Sequence, residues 1–162
     1  MDSNTFDKIS GAGYRFAIVR AHFNDEITQG LLEGAHSTLV EVGVSENDIE
    51  IVEVPGSFEI CYMADQLARQ EKFDAIICLG AIIKGDTKHD EHLAHAVYDA
   101  MNSIARTYQV PVIAGVLTCH DQDQATKRSS GEMNRGVEAA KTAIEMADLA
   151  RRMSQVARRA ND

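Results

Sequence analysis

Lysines, acids and histidines crowd one segment of this 162-residue chain, Lys84-Gly85-Asp86-Thr87-Lys88-His89-Asp90-Glu91-His92, directly after the apolar run AIICLGAII at 75–83. Gly85 permits a tight turn, and Asp86-Thr87 then place backbone N–H groups at the start of a helix, flanked by Lys84 and Lys88. Unpaired amides at the positive end of a helix dipole bind anions. The same residues also read as an ordinary capped helix with Thr87 as N-cap and Asp90 at the third helical position. They contain neither GxGxxG nor GxxxxGK[ST], the nucleotide phosphate-loop patterns. His89, in the first turn, is of the residue type best suited to move protons near neutral pH, although a surface histidine without a role has the same sequence.

His89, His92 and His95 also spell HxxHxxH. Each three-residue step turns a helix by about −60°, so His89 and His95 stand about 120° apart and cannot share an ion. A His89–His92 pair with a remote carboxylate is the metal reading that survives. Cys119-His120 has the composition of a thiol–base pair, but neighbours on a strand point to opposite faces. Phe23 either stacks on a ligand heterocycle or packs under a loop, while the backbone of Ser57-Phe58 and the Glu59 carboxylate suit polyol or ring N–H groups. Arg128 either donates to a phosphate as a bidentate cation or lies in solvent.

These residues need elements to position them, and the hydrophobic pattern supplies an order. Strands are predicted at Tyr14–Arg20, Ile49–Val54, Ala75–Ile83 and from Pro111 through PVIAGVLT. Helices are predicted at about 25–42, from Pro55-Gly56 to about 70, at about 88–109, briefly after Asp121, and from about Asn134 onward. Asn24 fits an N-cap and Gly43 a C-terminal stop. The βαβαβαβα order implies a parallel sheet with right-handed crossovers and helices on both faces. The chemistry-bearing segments all follow strands, where open α/β sheets bind ligands.

The length suits one domain of about 150 residues, and the composition, 44% apolar and 25% charged with two prolines, suits a globular protein. A formal charge of −9 argues against nucleic-acid or membrane-surface binding. The C-terminal cluster Arg151, Arg152, Arg158 and Arg159 reads as decoration of a helix end. Three cysteines at unrelated spacings make no disulfide framework, no apolar run reaches a membrane span, and residues 1–13 lack a signal-peptide pattern. The expected location is the cytoplasm.

Five motifs taken together are specific. FN at 23–24, VPGSFE at 54–59, LGAIIKGDTKH at 79–89, VPVIAGVLT at 110–118 and NRGVEAAKTAIEMADL at 134–149 resemble the lumazine synthase family of riboflavin biosynthesis across about residues 14–150. The resemblance implies a flavodoxin-like α/β/α domain with a four-stranded parallel sheet over residues 14–162. Residues 1–13 would form an arm that extends a neighbouring subunit's sheet. It implies a transferase without cofactor or metal that condenses 5-amino-6-(D-ribitylamino)uracil with 3,4-dihydroxy-2-butanone 4-phosphate. A flavin- or lumazine-binding protein that has lost catalysis is the alternative.

By the same resemblance, Phe23 stacks on the pyrimidine, Ser57, Phe58 and Glu59 hold ribityl and ring groups, and Ala81, Ile82 and Ile83 line the ring pocket. Gly85, Asp86 and Thr87 receive the phosphate with Arg128 as cationic partner, and His89 transfers protons. The family assembles as homopentamers or as icosahedral shells of pentamers, with sites between subunits and riboflavin synthase as a partner. This chain departs from the family pattern at Ala114, where a substrate-facing phenylalanine is common, and at Asp90, where a large aromatic is usual. Its Ser129–Met133 turn is also about one residue short and has no clear second lysine.

Overall fold

The computed structural model describes residues 9–159. Strands β1 (Phe16–Ala21), β2 (Ile49–Val54), β3 (Ala75–Ile83) and β4 (Val112–Cys119) form one sheet in the order β2-β1-β3-β4, every pair parallel. Between and after them run α1 (Asp25–Glu41), α2 (Ser57–Ala68), α3 (His89–Tyr108), α4 (Gln122–Arg128) and α5 (Arg135–Arg159). Parallel neighbours require crossovers, and these helices provide them on both faces. The expected three-layer α/β architecture is what the chain adopts.

The pleat divides the core. Phe16, Ile18, Ile77 and Leu79 face α1 and α5, while Ala17, Val19, Ile76 and Cys78 face α2 and α3. All eight side chains are buried, which explains why β3 reads as a continuous apolar run rather than an alternating one. Ile27, Leu31, Ala35 and Leu39 recur at helical spacing in α1, as do Ala140, Ile144 and Ala147 in α5, and all seven face inward and are buried. Ala96 follows the apolar repeat of α3 beside Val97 but is exposed.

Other expectations are corrected at the ends of elements. Pairing in β1 begins at Phe16, not Tyr14, because the Arg15 amide donates to the Asp74 side chain at 2.8 Å instead of joining the ladder. The Tyr14 hydroxyl reaches Asp148 of α5. Asn24 precedes α1 in a left-handed conformation (φ 60°) and makes no side-chain cap. Its amide donates across the sheet end to the Ala81 carbonyl at 2.9 Å. Thr87 does not cap α3, whose N-cap is Lys88, although the Thr87 hydroxyl accepts from the His89 amide at 3.4 Å. Gly43 does follow α1 with φ 97°, a conformation that costs glycine little.

Arg151 is more than a solvated helix-end cation. Its guanidinium lies 3.7 Å from the Tyr14 ring centroid and donates to the Gly13 carbonyl and Asp74. Arg158 and Arg159 do occupy the last turn of α5. Of the expected N-terminal arm, residues 1–8 lie outside the described residues. Gly11 donates to the Val42 carbonyl and Ile9 packs on the α1/α5 core, so this part of the arm lies on its own chain.

Buried Asn134 locks α1 to the start of α5. Its amide donates to the carbonyls of Gly30 and Ser129 at 2.9 and 3.0 Å, and its carbonyl accepts from the Gly136 amide at 2.8 Å. Asn134→Ala removes all three bonds, including those to the Ser129 carbonyl and the Gly136 amide at the start of α5, and is expected to destabilise the fold by about 2 kcal/mol. A urea midpoint equal to that of the parent would contradict this account.

Candidate functional site

The strand order reverses between β1 and β3, and parallel sheets open a crevice at such a point beyond the carboxyl ends of the strands. A cavity of about 750 Å³ lies there. Phe23 and Asn24 enter it from the β1 exit, Gly56, Ser57, Phe58 and Glu59 from the β2 exit, and Ala81, Ile82 and Ile83 from the end of β3. His89, Asp90 and Leu93 of α3 and Gln122 of α4 complete the wall. The volume fits a ligand of several hundred daltons.

Backbone bonds hold the contributing loops together. The amides of His22 and Phe23 donate to the carbonyls of Val54 and Pro55 at 2.7 and 3.0 Å, which joins the β1 and β2 exits. The bond from Asn24 to Ala81 joins the first of these loops to β3. Ser57 is buried at the start of α2, whereas the rings of Phe23 and Phe58 are 70% and 64% exposed. Two exposed aromatics facing a common cavity form a surface for a flat ring.

Eight of the sequence-predicted residues therefore come together: Phe23, Ser57, Phe58, Glu59, Ala81, Ile82, Ile83 and His89. Gly85, Asp86 and Thr87 do not line the cavity; they form the exposed turn between its β3 wall and His89. Ala114 and Arg128 lie elsewhere. They line a separate cavity of about 460 Å³ along edge strand β4, with Tyr98, Arg135 and Glu138, and the two cavities share no residue. The Tyr98 hydroxyl donates to the Val116 carbonyl at 2.6 Å there, and burial pushes its phenol up.

Asn24, Gly56, Leu93 and Gln122 line the cavity without having been singled out as site residues. For Asn24 the adjacent Phe23 was a usable signal; for Gln122, on a short polar helix, there was none. Cys119 is buried and burial pushes its thiol up, with Arg128 pulling the other way, so its thiolate is disfavoured. Among the described residues, no three His, Cys, Asp or Glu side chains gather as a metal site. No helix there is long and apolar enough to cross a membrane.

Residues 13–151 match the family described as 6,7-dimethyl-8-ribityllumazine synthase. The chain belongs to this family. Among curated relatives, the chloroplastic 6,7-dimethyl-8-ribityllumazine synthase of Arabidopsis thaliana is 49% identical over 142 residues, 87% of this chain and 63% of the relative. The chloroplastic enzyme of the same name from Spinacia oleracea is 44% identical over 137 residues, 84% of this chain and 61% of the relative. The chain thus spans a little under two thirds of the length of these relatives. Their designation corrects the expected cytoplasmic location: both are chloroplastic, and neither charge nor cysteine spacing distinguishes a chloroplast protein from a cytoplasmic one.

Proposed function

We propose that the chain condenses 5-amino-6-(D-ribitylamino)uracil with 3,4-dihydroxy-2-butanone 4-phosphate to 6,7-dimethyl-8-ribityllumazine. The observation that carries the reading is the gathering of Phe23, Ser57, Phe58, Glu59 and Ala81–Ile83 around one cavity with His89 in its wall, in a chain of this family. Phe23 takes the pyrimidine face, and the start of α2 with Glu59 takes the ribityl hydroxyls and ring N–H groups. The 5-amino group attacks the ketone and water leaves to give the imine. Loss of a proton and of phosphate follows, and attack by the ribitylamino nitrogen closes the ring with loss of a second water. His89 relays protons in these steps. Phosphate binds at the Gly85–Thr87 turn, beside the positive end of the α3 dipole. Holding both substrates in one cavity supplies a large part of the acceleration.

Arg128 belongs to the phosphate in this reading, yet within one chain it lines the β4-edge cavity. A second copy brings it in: β4 of one subunit lies against the open cavity of the next and delivers Arg128 and Ala114. Two surface features support such a ring, whether a pentamer or a shell of pentamers. Strand β4 pairs only with β3 among the described residues, and Met146, Leu149, Met153 and Val156 form an exposed apolar stripe on α5 at coiled-coil spacing. Riboflavin synthase, which would consume the product, is the proposed partner of this assembly.

The test is to mix the chelator-treated protein with both substrates and follow the lumazine chromophore. Turnover well above the uncatalysed rate is expected, with no loss on chelation. A rate no higher than background, with the lumazine still bound, would instead establish a binding protein that has lost catalysis.

A further inference from the structure

Arg20 is the one charged residue buried among the described residues, with its side chain 5% exposed at the carboxyl end of β1. A buried guanidinium is costly unless its donors are satisfied, and here they are. Nη1 donates to Glu53 Oε1 at 2.5 Å, from the β2 residue paired with Arg20 in register. Nη2 contacts the Asp25 carboxylate and donates to the Asp25 carbonyl at 3.2 Å, and Nε donates to the Thr28 hydroxyl at 3.2 Å. One side chain therefore ties β1, β2 and the first turn of α1 together. His22 stands over the same two carboxylates, its Nε2 3.6 Å from Glu53 and its Nδ1 4.0 Å from Asp25.

Only His22, Phe23 and Asn24 lie between Arg20's strand and the helix it grips. Phe23 is 70% exposed, so packing does not place its ring; the backbone of this turn does. Asn24 holds one side of the turn through Ala81, in a left-handed conformation that asparagine tolerates better than most residues. Arg20 holds both flanks. We infer that Arg20 is a positioning residue that presents Phe23 to a flat heterocyclic ligand by clamping the β1–α1 turn between Glu53 and Asp25.

This inference rests on the proposed pyrimidine pocket but not on turnover, and the experiment separates the two. The parent protein, Arg20→Met, Phe23→Ala and the double variant are titrated with 6,7-dimethyl-8-ribityllumazine, whose fluorescence reports binding. Glu53→Gln, which keeps the buried arginine and alters a half-exposed partner, is carried in parallel in case Arg20→Met does not fold. Arg20→Met is expected to weaken binding about tenfold and Glu53→Gln about threefold. Neither change weakens binding further once Phe23 is alanine, because the effect passes through that ring. Parent-like binding by both variants, or an equal loss with and without Phe23, overturns the inference. So does failure of the parent protein to bind the lumazine. Chromophore formation by the parent protein, measured separately, decides the condensation reading alone.

Discussion

Gly136→Ala is expected to lower the stability of the fold by roughly 2 kcal/mol or more, although alanine is the better helix former by about 1 kcal/mol. A Cβ on Gly136 would stand 1.9 Å from the Leu31 carbonyl oxygen, 2.7 Å from its carbonyl carbon and 2.9 Å from its Cα. These are backbone atoms in the middle of α1 and cannot rotate aside. The two helices must separate, and doing so also stretches the bond Asn134 makes to Gly30. For a domain of this size the melting temperature falls by about 4–8 °C. A melting temperature equal to or above that of the parent would mean that α1 and α5 do not cross at this contact.

If His89 and Arg128 have the roles proposed above, His89→Ala and Arg128→Ala damage the proposed condensation in different ways. Removing a proton-transfer group lowers kcat by about 10²- to 10⁴-fold with little effect on KM. Removing a charged donor to phosphate raises KM for the butanone phosphate by roughly 10- to 100-fold, equivalent to about 1.5–3 kcal/mol. Equal effects of the two changes on KM would contradict their separate roles. Because Arg128 and His89 line different cavities of one chain, mixed assembly supplies a sharper result. In the proposed ring, the two defective variants dissociated and reassembled together are expected to form interfaces in which an intact His89 meets an intact Arg128. Random mixing around a ring restores roughly a quarter of the sites. Recovery measured at low butanone phosphate checks this, and a mixture no better than the average of its components would place both residues in one subunit.

Much of this arrangement was legible in the residues. Strands β2 and β3 run over the predicted residues because turn formers bound them, Pro55-Gly56 after the first and Lys84-Gly85 after the second. The grouping of Phe23, Ser57–Glu59, Ala81–Ile83 and His89 follows from topology: in a parallel sheet every strand exit points to the same edge. Residues near strand and helix ends were harder, since their roles depend on long-range partners. Asn24 has the type of an N-cap but bonds to Ala81, and Tyr14 has the type of a strand residue but bonds to Asp148.

Local pattern alone determined the α/β order, the faces the helices bury and the motifs that mark the family, because periodicity and turn chemistry act over a few residues. Tertiary structure decided three further matters. It set β4 at the sheet edge, which within one chain puts Arg128 and Ala114 in a different cavity from Phe23 and His89. It gave the buried Arg20 two carboxylate partners on separate elements, Glu53 and Asp25. It also pressed Gly136 against the backbone of Leu31. Each depends on which segments distant in sequence become neighbours, and that is settled by how the layers pack around the sheet rather than by any single stretch of chain.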